Sequence, residues 1–314
     1  MKTLYIVVPC YNEQECLHDS AKQLKDVLTS LINNNKVNND SKIVFVDDGS
    51  KDQTWKIIVS LNNENDVYQG VKLSRNKGHQ NAVVAGISYA KDYADMVITI
   101  DADLQDDINS IEKMVDKYHE GNEIVYGVRT SRKTDTAFKR STANAYYKIL
   151  EKMGVEIINN HADYRLMSKR VCEEFLNYKE SNLFLRGIVT QLGFKSAIVG
   201  YERKERMAGE SKYPLKKMLS LAWNGITSFS LRPLKFIAFL GALITCLSLL
   251  ITLVFSILFI FKVMHFFLDL YILTSIYFVG GLILLMMGIL GEYVGKTYQE
   301  VKNRPRFIIE EIIK

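Results

Sequence analysis

The chain has 314 residues, 48% of them apolar, and carries 40 Lys and Arg against 35 Asp and Glu for a net charge of +5. That length holds one large domain and something smaller. The four cysteines, Cys10, Cys16, Cys172 and Cys246, are scattered and form no CxxC pair, so neither a zinc site nor a disulfide framework is indicated, and a reducing compartment fits.

The apolar stretch from Leu4 to Cys10 is short, contains Pro9 and runs straight into Asn12-Glu13, so it does not read as a signal peptide. It opens a series. Leu4 to Val8, Ile43 to Val46, Val67 to Leu73, Met96 to Ile100 and Glu123 to Tyr126 are Val- and Ile-rich runs predicted as strands. Between them, Glu13 to Leu31, Thr54 to Leu61, Gly78 to Tyr93 and Asn109 to Tyr118 are predicted as helices. Strand-helix alternation at this spacing predicts an α/β fold: a mostly parallel sheet with helices on both faces.

A mixed segment from Arg129 to about Arg206 follows. From Pro214 to Leu231, Leu215, Met218, Leu219, Ala222, Trp223, Ile226 and Phe229 recur at three-to-four spacing, as in a helix lying in a membrane interface or packed on the first domain. Between Tyr201 and Lys235 there are eight Lys or Arg against three Glu, a surplus equal to the net charge of the whole chain. Such a cluster suits anionic headgroups or a phosphorylated lipid. No nucleic-acid motif accompanies it.

Two long uncharged runs come next, 26 residues between Lys235 and Lys262 and 22 between Asp269 and Glu292. As helices they would reach about 39 and 33 Å, enough to cross a hydrocarbon core of about 30 Å. The short connection predicts a hairpin. Its outer side carries Lys216, Lys217, Arg232, Lys235, Lys296, Lys302, Arg304 and Arg306, whereas the connection holds Lys262. The positive-inside rule then predicts a multi-pass chain with the α/β domain and both termini cytoplasmic. The expected division is residues 1–213 for the α/β domain, 214–233 for the interfacial helix, 234–291 for two spans (about 235–262 and 269–291) and 292–314 for a tail.

Ligands of open parallel sheets bind beyond the carboxyl ends of the strands. Polar groups follow three of the predicted strands: Pro9-Cys10-Tyr11-Asn12-Glu13, Asp47-Asp48-Gly49-Ser50 and Asp101-Ala102-Asp103-Leu104-Gln105. Asp101 and Asp103, two apart in an extended segment, point the same way, and paired carboxylates favour an intervening cation. Hard oxygen ligands suit Mg²⁺ or Mn²⁺ completed by substrate phosphates, and Gln105 could add an oxygen. Asp48 could instead cap the helix from about Asp52. Ser74 to Gln80 brings basic and amide groups to the next rim position, or forms a surface turn, with Gly78 allowing close backbone approach. No two glycines lie two apart and no P-loop occurs, which disfavours a dinucleotide oxidoreductase.

Taken together, VPCYNE (8–13), VDDGSKDQT (46–54), LSRNKGHQNA (73–82), DADLQD (101–106), VYGVR (125–129), DYRLMS (163–168), FLRG (184–187), AGESKYP (208–214), GITSFSLRPL (225–234) and GEYVGKTYQEVKNRP (291–305) resemble family 2 glycosyltransferases of the GT-A (Rossmann-like) fold. Within them the chain is most similar to the polyprenyl-phosphate branch, the bactoprenol glucosyltransferase and dolichol-phosphate mannosyltransferase group. The resemblance implies that Pro9, Tyr11, Glu13, Asp48, Gly78 and Asp101 bind the nucleotide-sugar, and that Asp101, Asp103 and Gln105 hold Mg²⁺ or Mn²⁺. Arg129, Arg206, Ser211 and Lys212 would contact phosphate, while Asp163 and Arg165, with Asp103, would serve catalysis.

It also implies inverting transfer of a sugar, glucose from UDP-glucose before N-acetylglucosamine or a GDP-sugar, to undecaprenyl phosphate in a bacterial plasma membrane. Expected partners are the donor, the lipid phosphate, the bilayer, further copies of the chain, a flippase and a second membrane glycosyltransferase, with no nucleic acid. Asp163 is expected to orient the acceptor site or Arg165 rather than take a proton, because a phosphate monoester with a pKa near about 6 is already largely dianionic. The chain departs from the branch's pattern at Lys77, at Asp107-Ile108 and at Ala162. A processive polysaccharide synthase would need a QxxRW segment, which is missing, and the intact Asp101, Asp103 and Gln105 argue against a silent scaffold.

Overall fold

The computed structural model describes residues 1–131, 158, 161–180, 184–202, 232–260 and 268–314. Four apolar runs form β1 (Leu4–Cys10), β2 (Lys42–Asp47), β3 (Tyr68–Leu73) and β4 (Met96–Thr99), all parallel, with β1 between β2 and β4. Between them run α1 (Leu17–Asn33), α2 (Thr54–Glu64) and α3 (His79–Ala90), and α4 (Ser110–His119) follows β4. The strands are near-continuously apolar because both faces are buried. Leu4, Ile6 and Val8 join Ile43, Phe45, Met96 and Ile98 in a core with Leu24, Leu28, Ile58 and Met114 of the helices. Tyr5, Val7, Val44, Val46 and Val97 join Val83, Val84 and Ile87 of α3 on the other face. The period of two thus assigns α1, α2 and α4 to one layer and α3 to the other.

The segment after Tyr126 is where the sheet changes direction. β5 (Ile124–Ser131) is followed by β6 (His161–Ser168), which runs antiparallel between β4 and β5, and β7 (Ser196–Glu202) pairs parallel with β5. α5 (Lys169–Asn177) and α6 (Leu185–Gln191) bury Val171, Phe175, Leu185 and Ile188 on the α3 side. Because β6 is reversed, its beginning lies at the carboxyl end of β4. Thr99 is in register with Arg165, and Thr99 Oγ1 donates to the Asp163 carbonyl at 2.6 Å.

α7 (Arg232–Ile260) and α8 (Leu268–Val301) are apolar throughout much of their length. Among the described residues, one helix, Ser275–Val301, is long and apolar enough to cross a membrane, and Pro233–Ile244 forms a shorter apolar stretch. The expected interfacial helix at 214–231, with Arg206, Ser211 and Lys212, lies outside the described residues.

The expected tail is not a tail. Residues up to Val301 continue α8, and β8 (Ile309–Ile313) adds to the sheet, antiparallel to β3. The eight strands follow the order β7-β5-β6-β4-β1-β2-β3-β8. A side chain at Gly70 would collide with Ile313 Cγ1 at 2.8 Å, so the glycine is what lets β8 seat fully. Phe307 and Ile309 pack on the α3-side core, Ile313 packs on the opposite one, and Arg306 donates to the Tyr178 carbonyl. Ending the chain at Arg306 removes this strand and bares the β3 edge. The predicted result is a thermal midpoint lower by about 5 to 15 °C. An unchanged midpoint in a thermal melt would mean that β8 adds nothing to the fold.

Candidate active site

Loops after β1, β2 and β3 form one continuous rim because their polar groups bind one another. Asn12 takes a left-handed φ of 55°. Its N–H donates to Ser50 Oγ at 3.0 Å, and its Oδ1 accepts from the Lys51 N–H at 2.9 Å. Glu13 N–H donates to Thr54 Oγ1 at 2.9 Å, and Gln14 Oε1 accepts from the Gln53 N–H at 3.1 Å. Gly49, at φ +66°, lies so close to the next loop that a Cβ would stand 2.6 Å from the Arg75 carbonyl carbon. Only glycine meets both demands.

Asp48 ties the second loop to the third. Buried at the end of β2, it accepts the Lys77 N–H at 2.7 Å and the Gly78 N–H at 2.8 Å. It therefore does not cap α2. Asp52 accepts from Thr54 N–H at 3.0 Å and Thr54 Oγ1 at 2.6 Å just ahead of the helix, whose N-cap residue is Gln53. Burial raises the Asp48 carboxyl above its ordinary value even though the two amides favour its ionised form. Of the other expected nucleotide residues, Pro9 is buried in β1, Tyr11 is exposed at the rim, and Glu13 is half-buried, accepting from Cys16 Sγ at 3.3 Å. Burial pushes the Cys16 thiol up to about 12, so it stays a protonated donor at neutral pH.

Beyond β4 the side chains alternate. Ala102 and Leu104 point into the core, while Asp101 and Asp103 remain half-exposed. Ser20 Oγ anchors the Ala102 carbonyl at 2.6 Å, and the Gln105 N–H donates to Asp103 Oδ1 at 3.3 Å. Gln105 itself is 4% exposed. Burial and the neighbouring acids Asp106, Asp163 and Asp103 raise the Asp101 carboxyl, and His79 opposes them. That crowding is what a cation would relieve. Among the described residues no three His, Cys, Asp or Glu side chains converge as a preformed metal cage. The donor set fits Mg²⁺ or Mn²⁺, which take one or two protein carboxylates and complete their shell with phosphates and water.

On the far side of Asp101 stands a charged cluster. His79 Nε2 lies 3.6 Å from Asp101 Oδ1 and 3.9 Å from Asp163 Oδ2. Arg165 Nη2 donates to Asp163 Oδ1 at 2.5 Å, and Arg186 Nη2 donates to Asp163 Oδ2 at 3.3 Å. Burial pushes the Asp163 carboxyl up, but Arg186, Arg165 and His79 together hold it well below the usual carboxylate range. It is anionic throughout the neutral region and ill-suited to take a proton there. Arg165 is 1% exposed, with Nη1 on the Leu185 carbonyl at 3.3 Å. It braces Asp163 from behind and does not face the rim. Arg129 likewise has a protein partner: its Nε and Nη2 reach Asp106 Oδ1 at 3.2 and 3.0 Å, and Tyr201 donates to the same oxygen at 2.7 Å. Its contact within the protein is the buried Asp106 carboxylate.

Sequence reasoning did not assign His79, Arg186, Asp106 or Tyr201. His79 and Arg186 do fall in the stretches 73–82 and 184–187, but only the reversal of β6 brings them to Asp163.

The chain matches Glycosyl transferase family 2 over residues 5–176. It is 52% identical, over 98% of its length and 91% of the relative's, to "Uncharacterized glycosyltransferase YkoT" of Bacillus subtilis. It is 37% identical to the SfII prophage-derived bactoprenol glucosyl transferase of Shigella flexneri, over 98% and 97% of the two chains. To the prophage bactoprenol glucosyl transferase homolog of Escherichia coli it is 35% identical, over 98% and 99%. The observed sheet, mostly parallel with helices on both faces, is a GT-A-like α/β fold.

Behind the charged cluster, His161 is buried edge-on against Tyr126 at 5.3 Å. Neither ring nitrogen has a hydrogen-bond partner among the described residues. Burial, then Arg165 and Arg186, push it down from 6.5 to about 3. The unfolded chain therefore binds a proton between those values that the folded chain does not. Stability from this group is complete above pH 6.5 and drains away as pH falls. We expect His161→Phe to reduce the loss of thermal midpoint between about pH 7 and 5. Identical slopes for variant and wild type would refute a neutral buried imidazole.

Proposed function

The chain belongs to glycosyl transferase family 2, and from that premise we propose that it moves a hexose from a nucleotide diphosphate to a polyprenyl phosphate at a membrane surface. The observation that carries this reading is the rim itself: Asp101 and Asp103 stand half-exposed beyond β4, and His79 lies between Asp101 and Asp163, a carboxylate held anionic by two guanidinium groups. The lipid acceptor and glucose as the sugar are supported by the names of the bactoprenol glucosyl transferase relatives. UDP as the carrier follows from the family resemblance.

In this reading Pro9, Tyr11, Glu13, Asp48 and Gly78 wall the nucleoside site, with Asp48 holding the Lys77–Gly78 backbone in place. Asp101 and Asp103, with Gln105 behind them, would hold Mg²⁺ or Mn²⁺, which supplies Lewis-acid neutralisation of the leaving diphosphate. A phosphate oxygen of the acceptor forms the new bond to the anomeric carbon as the bond to the diphosphate breaks, with inversion. No proton has to be removed, because the acceptor's second pKa is near about 6. Asp163 accordingly orients the cations around it. Arg206, Ser211 and Lys212 remain part of the proposed acceptor grip.

The membrane anchor proposed is a hairpin of α7 and α8. It is supported by the outward apolar residues of both helices, such as Phe236, Phe239 and Leu250 on one and Phe278, Leu284 and Met287 on the other. Since β8 returns the chain to the catalytic sheet, the end of α8 is tied to the same side as the α/β domain, and the basic flanks favour the cytoplasm for that side.

The test is transfer by the purified full chain in lipid nanodiscs, offered undecaprenyl phosphate and a panel of UDP- and GDP-sugars. Glucose from UDP-glucose should appear on the lipid. The product should vanish with chelator and fall at least about a hundredfold in Asp103→Ala. A folded, nucleotide-binding protein that transfers no sugar to the lipid would sink the proposal.

A further inference from the structure

The two arginines that share Asp163 differ in access. Arg165 is enclosed, whereas the Arg186 side chain is 32% exposed and reaches Asp163 from the solvent side. Arg186 is also held at its root. The preceding Leu185 N–H donates to Gln80 Oε1 at 3.2 Å, the Leu185 carbonyl accepts from Arg165 Nη1, and the Arg186 carbonyl accepts from Thr190 Oγ1 at 3.3 Å. A planar fork fixed at both ends is pre-organised for an oxyanion.

Position tells which oxyanion. In the sheet order, β6 lies beyond β4, on the side away from β1, β2 and β3. The nucleoside walls are on the β1–β3 side and Asp101 stands at the divide, with Asp163 and Arg186 past it. Displacement with inversion brings the nucleophile to the face opposite the leaving group. A cation past Asp101 therefore meets the incoming group.

We propose that Arg186 binds the phosphate of the lipid acceptor, with Asp163 acting as the residue that positions its guanidinium. The proposal rests on the functional reading above and assigns a role there to a residue that had none. The chemistry shared with the donor's diphosphate is a phosphate oxyanion, so the experiment has to separate the two sources.

Arg186→Gln and Arg186→Lys would be compared with wild type in nanodiscs, with KM measured separately for polyprenyl phosphate and for UDP-glucose. Expected is an acceptor KM raised about tenfold or more in Arg186→Gln and less in Arg186→Lys, with donor KM within about twofold. A raised donor KM with the acceptor KM unchanged assigns the arginine to the leaving diphosphate and overturns the proposal, as does no change in either. If Arg186→Gln does not fold, Arg186→Lys decides on the same criterion. A titration with a short-chain polyprenyl phosphate reads binding without turnover. Wild-type binding that weakens in the variants, with no sugar transferred, fails the transferase reading and keeps the arginine's role. Equal binding in all three proteins, or none in wild type, overturns that role.

Discussion

A guanidinium cannot be taken out of water without a counter-charge, and Arg165 is almost wholly out of water. Asp163 supplies that charge from two residues away on the same strand. The pair exists at the rim only because β6 runs against β4, so that its first residues, not its last, stand beside Asp101. From this constraint the rest of the site follows. Asp163 is kept anionic and has a second oxygen to offer. That oxygen takes Arg186 from one side and lies near His79 on the other. The buried pair thus converts a sheet topology into a fixed arrangement of charge above the strand ends.

The rim on the β1–β3 side is built by a different principle. There the loops are held by backbone amides bound to side chains of neighbouring loops: Asn12 with Ser50 and Lys51, Glu13 with Thr54, Asp48 with Lys77 and Gly78. Each satisfied amide removes a group that would otherwise move with solvent. The result is a wall of cross-linked loops beside a crowded acidic one. A nucleotide needs the first for its base and ribose, and a metal-bound diphosphate needs the second.

The parallel half of the fold was legible because its strands are buried on both faces and read as plain apolar runs, such as Leu4 to Val8 and Ile43 to Val46. β6 was not, because His161, Asp163 and Arg165 interrupt its pattern: Arg165 is buried by its pairing with Asp163, and His161 is buried with no hydrogen-bond partner on its ring among the described residues. β8 escaped notice for the opposite reason: Glu310 and Glu311 make it look like a solvated tail, as suits an edge strand. In the site, the alternation of Asp101 and Asp103 about Ala102 was readable from spacing alone. The partners of Arg129 and Asp163 were not, since Asp106, Tyr201 and Arg186 reach them across the sheet or from other elements.

The account stands most directly on the Asp163–Arg165 pair, and a double-mutant cycle of thermal stability measures it. Asp163→Asn leaves a guanidinium buried without its counter-charge and should cost about 3–5 kcal/mol. Adding Arg165→Met should recover most of that loss, giving a large coupling energy between the two positions. Losses that simply add would contradict the account, because the charge arrangement at the rim would then rest on something other than this pair.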